Sequence, residues 1–356
     1  MQSVIIGPNQ AGQRFDKFLH KYLPEAPTSF LYKMLRKKNI TLNGKKAEGK
    51  EMLQVGDEVK MFFAEETFAK FAGSVPEANP SSLQYRTAYS KWKNITVIYE
   101  DQHALIVNKP SGILTQKASE QDLSLNEWLI GYLLHTGSIT EQELQSFKPS
   151  VCNRLDRNTS GLVLCGKSLA GSQALSRLIH DRAVRKFYRT ITVGTIKKPE
   201  QIEGYLVKNE RTNTVKISPI PGHEAEESLI KTAYKPLAQL HSCPEDTKEK
   251  QLIPRGLTYL EVELITGKTH QIRAHLASIG HPLIGDYKYG SKTLNGYFRD
   301  QYQLSNQLLH AYRLEFPEMT GVLSGLSSQT VIAPLPTLFT DILTGCDMDT
   351  AETDSF

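Results

Sequence analysis

A chain of 356 residues, 39% of them hydrophobic, has enough material for a sizeable core and for more than one domain. No run approaches eighteen uninterrupted apolar residues, and Met1-Gln2-Ser3-Val4-Ile5-Ile6 lacks a basic stretch leading into an apolar core, so a soluble, cytoplasmic protein is expected, with no membrane span or secretory leader. Four cysteines without a Cys-x-x-Cys pair argue against zinc and disulfide frameworks, while a net charge of +4 leaves a polyanionic partner open.

In the first sixty residues, Phe15, Phe18, Leu19 and Tyr22 recur at helical spacing, as do Phe30, Leu31, Met34 and Leu35. Two helices are predicted, each burying one face. Short strands follow: Ile40-Thr41-Leu42 before the turn pair Asn43-Gly44, then Val59-Lys60-Met61-Phe62 after Gly56-Asp57. This unit holds eleven Lys and Arg against six acids, and Lys33, Arg36, Lys37 and Lys38 gather at the end of the second helix. Cations there suit a polyanion and equally complement a helix dipole. Residues 64–94, with Val75-Pro76-Glu77-Ala78-Asn79-Pro80-Ser81-Ser82, lack sustained periodicity and read as a flexible linker.

From Ile95 to residue 343, short strands and helices follow one another without the regular alternation of a doubly wound sheet, which predicts a mixed, mainly antiparallel α+β domain. Residues 242–250 read as a polar surface loop and 344–356 as an acidic, flexible tail. Charge is polarised along the chain: residues 1–313 carry 42 basic against 31 acidic residues, and no Lys or Arg follows Arg313.

Within this domain, Asn153-Arg154-Leu155-Asp156-Arg157-Asn158-Thr159-Ser160-Gly161 sets an Asp between two Arg in a turn-rich stretch that runs into the apolar Leu162-Val163-Leu164. A carboxylate there is open to a substrate and anchored by a strand. The same residues also make ordinary turns and ion pairs, so the segment alone leaves both readings standing. In Lys186–Val193, alternation puts Phe187, Ile191 and Val193 on one face and Tyr188, Thr190 and Thr192 on the other, with Tyr188 expected to face away from the more apolar side. Thr258–Leu264 points Leu260, Val262 and Leu264 inward, then turns at Thr266-Gly267 into a helix from about Thr269. On that helix Ile272, Leu276 and Ile279 share one face and His270, Arg273 and Ala277 another, which places Arg273 outside the core. His270 and His275, five apart, do not share a face as a metal pair does, and no phosphate-binding glycine loop or dinucleotide fingerprint is present; neither a metal nor a nucleotide cofactor is expected.

Four ordered segments carry a family resemblance. Arg154-Leu155-Asp156 followed by Thr159-Ser160-Gly161 looks like the signature of RluA-type pseudouridine synthases, and Asp101–Gly112 resembles their first core strand with its Lys-Pro-x-Gly turn. Lys186-Phe187-Tyr188 and Thr266-Gly267-Lys268-Thr269-His270-Gln271-Ile272-Arg273-Ala274-His275 are similar to the remaining motifs, so the likeness spans residues 95–316. Residues 1–63, from Arg14-Phe15-Asp16-Lys17-Phe18-Leu19 to Asn43-Gly44-Lys45 and Val55-Gly56-Asp57, resemble an S4-like RNA-binding domain. Asn153 departs from the commoner His, and Lys268 from the commoner Arg.

The resemblance implies a pseudouridine synthase fold and an enzyme that isomerises uridine to pseudouridine in RNA, with large-subunit ribosomal RNA as target and transfer RNA as the alternative. It makes Asp156 the catalytic aspartate, Tyr188 the residue that stacks on the base and helps remove the C5 proton, and Arg273 the partner that keeps Asp156 ionised. Arg154 becomes the wedge that fills the gap left by a flipped-out base. RNA contacts are expected at Lys268, His270, Gln271, Arg14, Lys33, Arg36, Lys37 and Lys38, in a monomer that needs no cofactor. Among other classes, a non-catalytic RNA-binding protein leaves the ordered motifs unexplained. A nucleoside hydrolase needs an activated water, and a single essential carboxylate leaves no second one to activate it.

Overall fold

The structure, a computed structural model, describes residues 1–72, 80–141, 143–209, 212, 214–222, 227–240 and 256–348. The polar loop expected at 242–250 lies outside the described residues. The N-terminal unit contains β1 (Gln2–Ile5), α1 (Phe15–Tyr22), α2 (Thr28–Arg36), β2 (Ile40–Leu42), β3 (Lys45–Lys46) and β4 (Glu58–Met61), in a sheet of order β1-β4-β2-β3. Strand β1, which the sequence pattern did not reveal, pairs antiparallel with β4. Phe15, Phe18, Leu19, Leu31 and Leu35 of the two helices are buried against Ile40, Val59 and Met61. Asn43 and Gly44 both take positive φ, as a tight hairpin between β2 and β3 requires.

Of residues 64–94, those on either side of 73–79 differ from the expected linker, and 73–79 lie outside the described residues. The flanking stretches contain α3 (Glu65–Ala72), whose Phe68 and Phe71 pack on the N-terminal core, and α4 (Pro80–Lys91), whose Tyr85 and Ala88 are buried in the core of the following domain. Tyr85, Ala88, Tyr89 and Trp92 fall at i, i+3, i+4 and i+7, an apolar stripe diluted by the Ser, Thr and Gln around it. It packs on α5 (Leu125–His135), where Gly131 permits the contact: a Cβ there would stand 2.2 Å from the Tyr85 carbonyl oxygen.

The larger domain is built on β5 (Thr96–Glu100), β6 (Ala104–Lys109), β7 (Ser150–Val151), β8 (Ser160–Gly166), β9 (Arg185–Val193), β10 (Glu200–Asn209), β11 (Thr214–Ser218), β12 (Ser228–Leu240), β13 (Leu257–Leu264), β14 (Leu309–Glu315) and β15 (Thr330–Ile332). Its sheet runs β11-β10-β12-β13-β9-β14-β8-β6-β5, with β7 on β8 and β15 on β14. Pairing is antiparallel except between β14 and β8, in keeping with a mixed α+β architecture. Helices α6 (Leu169–His180), α7 (Gln271–Ser278), α8 (Lys292–Tyr302) and α9 (Thr337–Gly345) cover it. Cys346 and Met348, inside the expected flexible tail, are buried against α9, so the packed domain continues past residue 343. Residues 349–356 lie outside the described residues.

The centre of the sheet positions the site. Ala311 of β14 is in register with Gly161 of β8 on one side and Tyr188 of β9 on the other. Gly161 has φ 112°, and a Cβ there would meet the Ala311 carbonyl oxygen at 2.2 Å. Only glycine lets β8 and β14 approach so closely. That contact fixes the loop running from β7 into β8, which carries Asp156, while β9, which bears Tyr188, lies two strands from β8 in the same sheet.

Candidate active site

Four chain segments converge on Asp156. Its own loop is clamped from the Lys-Pro-x-Gly turn: the Leu155 N–H donates to the Thr115 hydroxyl oxygen (3.2 Å), which in turn donates to the Leu155 carbonyl (2.8 Å). Lys109, fully buried, donates to the carbonyls of Pro110 (3.0 Å), Ile113 (2.9 Å) and Arg157 (3.1 Å). One ammonium thus uses its three protons to tie the turn to the residue after Asp156. Burial pushes that ammonium down to about 7, opposed by the Asp156 charge.

The carboxylate is gripped at one oxygen. Arg273 Nη1 lies 3.0 Å from Asp156 Oδ2, while its Nε and Nη2 bind the two oxygens of Asp286 at 2.7 and 2.9 Å. Asp286, fully buried, also accepts the backbone N–H of Lys288 (2.9 Å) and Tyr289 (3.2 Å). Burial alone would lower the Arg273 pKa, but Asp286 first and Asp156 second outweigh it and raise it; burial alone would raise Asp286, and Arg273 outweighs that to lower it. Arg273 is therefore an oriented, permanently charged bridge between a structural and an open carboxylate. It is 7% exposed, not outside the core as helical spacing suggested. The difference arises because α7 begins at Gln271 and its whole first two turns are covered; Ile279, expected inside, caps the helix and is 38% exposed.

Tyr188 corrects a second expectation. Both faces of β9 are covered, and Tyr188 is 6% exposed, within the largest apolar cluster. Its hydroxyl is driven above its usual value by burial, then by Asp156. Tyr188, Asp156, Arg273, Ile272, Leu264 and Leu309 line one niche. The niche adjoins a cleft of about 660 Å³ lined by Lys117, Arg154, Arg157, Lys208, Lys268 and Lys288, with Asp156 the one acid lining it among the described residues. Such a wall focuses a positive field on a polyanion while offering it a single carboxylate.

The expected RNA contacts divide. Arg154 and Lys268 are exposed at the cleft, and His270 lines it with its Nε2 3.7 Å from Asp156 Oδ2. Gln271 lines the niche beside Asp156 and not the wider cleft. Its Oε1 accepts from the Thr266 hydroxyl (2.8 Å) and the Lys268 N–H (3.1 Å), and its Nε2 donates to the Lys231 carbonyl and the Thr232 hydroxyl oxygen, both at 3.0 Å. A buried amide so saturated ties α7 to β12 and has nothing left for a ligand. In the N-terminal unit Arg14 is ion-paired with Asp16 at 2.6 Å, and Lys33, Arg36, Lys37 and Lys38 are exposed at and beyond the end of α2. Among the described residues, no group of three or more His, Cys, Asp or Glu is placed to hold a metal ion, and no helix is long and apolar enough to cross a membrane.

Sequence patterns missed Asp286, Thr115 and the clamping role of Lys109. For Asp286 a signal existed: an acid after Ile284-Gly285 at the end of an apolar run, thirteen residues from Arg273. Burial of such an acid demands a cation.

Residues 103–278 match a family model described as RNA pseudouridylate synthase. A ribosomal large subunit pseudouridine synthase C of Rickettsia felis is 30% identical over 338 residues, covering 94% of this chain and 96% of the relative. The protein of the same description in Vibrio vulnificus is 29% identical over 89% of this chain and 88% of its own length. The solved structure of human RNA Pseudouridylate Synthase Domain Containing 4 superposes with a TM-score of 0.56 at 19% identity, covering 74% of this chain and 97% of that one, which is a likeness of fold. With kinship running along almost the whole chain and a matching catalytic fold beneath it, this protein belongs to the RNA pseudouridylate synthase family.

Proposed function

We propose that this enzyme isomerises specific uridines of large-subunit ribosomal RNA to pseudouridine, with Asp156 as the reacting carboxylate. The observation that carries the proposal is a single carboxylate, held at Oδ2 by Arg273, in a cleft lined by cations. The reaction breaks the N1–C1′ bond, turns the uracil, and joins C5 to C1′; the C5 proton leaves and N1 gains one, so no redox partner or cofactor is consumed. An ionised carboxylate serves by capturing C1′ or by removing the 2′ proton, and both need an oxygen open to the ribose. Among the described residues no second carboxylate lines the cleft to activate water, which favours retention of the base over hydrolysis.

Tyr188 would stack on the uracil against Leu264 and Leu309, and Arg154, exposed two residues before Asp156, would fill the helix where the uridine has swung out. The N-terminal unit, read as S4-like, would add phosphate contacts through Arg14 and the exposed cations from Lys33 to Lys38. The ribosomal target rests on the relatives described as large-subunit enzymes. Purified enzyme given large-subunit rRNA fragments and transfer RNA transcripts should form pseudouridine in the former only. Modification of transfer RNA alone would overturn the target, and release of free uracil would overturn the reaction.

A further inference from the structure

His270 was expected to contact RNA, yet its surroundings suit another task. It stands at the N-terminus of α7 with φ 53°, a left-handed conformation that a residue with a Cβ adopts only where its surroundings hold it, and its side chain makes no capping bond. The imidazole instead lies edge-on to Tyr289, with ring centroids 5.7 Å apart, and its Nδ1 is 3.0 Å from the Tyr289 hydroxyl. That hydroxyl already accepts the backbone N–H of Val215 on β11 at 3.0 Å. Its own proton is then best spent on His270 Nδ1, which makes Nδ1 an acceptor and leaves the imidazole proton on Nε2, the nitrogen 3.7 Å from Asp156.

Arg273 and His270 both address Oδ2 of Asp156, and no protein group bonds Oδ1 among the described residues. We propose that Tyr289 is a positioning residue which locks neutral His270 in its Nε2–H form, so that His270 joins Arg273 on Oδ2 when the cleft closes on RNA and leaves Oδ1 for the ribose. The contact of 3.7 Å is of the length expected before substrate draws a site together. The inference rests on Asp156 being the reacting carboxylate.

Charge balance around the imidazole agrees. Burial lowers its pKa, and Arg273 and Lys288 push the same way against the opposing Asp156 and Asp286. A hydroxyl proton donated to Nδ1 stabilises the neutral ring further. An imidazolium beside Arg273 would draw more of the carboxylate charge onto Oδ2 and weaken Oδ1, so protonation of His270 should depress the rate.

Two measurements test this. In the intact protein, nitrogen-15 spectra of labelled histidines at neutral pH, with His270 assigned by His270→Gln, should show a pyridine-like Nδ1 and a protonated Nε2. The opposite tautomer, or an imidazolium, overturns the lock. In Tyr289→Phe the ring stays and only the hydroxyl goes; kcat/KM should fall about fivefold, and the acid limb of its pH profile should move up by about 0.7 pH unit, the equivalent of one ordinary hydrogen bond. A uniform loss at every pH, with the acid limb unmoved, overturns the positioning role. Should wild-type enzyme modify no RNA, the functional reading fails, while the spectra still decide the tautomer.

Discussion

Replacing Arg273 by Met strands Asp286, a fully buried carboxylate left, among the described residues, with only the backbone N–H groups of Lys288 and Tyr289. Breaking one side of a buried ion pair destabilises by about 3–5 kcal/mol. In a domain of this size that corresponds to a fall in Tm of roughly 10 °C. The deficit should depend on pH. In the wild type the Asp286 pKa is held below its unfolded value of 3.8, so its contribution is present above that value and lost as pH falls through the lower folded pKa. Without Arg273 the buried carboxyl is raised instead, so its folded form prefers to be protonated and stability declines as pH rises through the raised pKa. The gap between the two proteins should therefore be widest near neutrality and narrow towards about pH 4. Adding Asp286→Asn removes the stranded charge and keeps an oxygen for both N–H groups, which should restore most of the stability and none of the activity. Denaturant unfolding across this range, with pseudouridine assays alongside, makes the check. A deficit below about 1 kcal/mol, or one independent of pH, would refute the reading of Arg273 as a bridge between two carboxylates.

Thr115→Val removes both hydrogen bonds to Leu155 and leaves two buried backbone groups unpaired, so stability should fall by about 2–3 kcal/mol and kcat should fall more than KM rises; unchanged kinetics would separate this clamp from catalysis. Lys109→Met should flatten the alkaline stability profile. Because the folded Lys109 titrates at about 7 against 10.5 unfolded, wild type gains stability over the variant as pH climbs between those values, and parallel urea-unfolding profiles would contradict that. Changing Lys33, Arg36, Lys37 and Lys38 together to Ala should weaken RNA binding at low salt and make the slope of log K against log salt shallower by about 3, provided all four meet phosphates. An unaltered slope would remove them from the RNA interface.

Much of this architecture was legible in local patterns. The helices of the N-terminal unit and the inward Leu260, Val262 and Leu264 follow from period alone, and Asp156, Tyr188 and Arg273 stand together as the motifs implied. What failed to show was set by tertiary contact. Helix α4 hides because four apolar residues among Ser, Thr and Gln carry a weak period, and its partner Gly131 lies forty residues on. Arg273 was assigned to an outer face since helical spacing cannot reveal an acid packed over that face, and the four hydrogen bonds that hold the Gln271 amide were not legible since they come from a distant strand and its own turn. Tyr188 was given the wrong surroundings because alternation ranks the two faces of a strand but does not say that both are covered.

The central claim is that one ionised oxygen of Asp156 does the chemistry without releasing the base. Asp156→Asn keeps the shape of the loop and leaves Arg273 paired with Asp286. The decisive measurement is the yield of pseudouridine and of free uracil from a large-subunit rRNA fragment by wild type and by this variant, both confirmed folded. Pseudouridine without free uracil in the wild type, and neither product from the variant, is the predicted result; full pseudouridine formation by Asp156→Asn would contradict it.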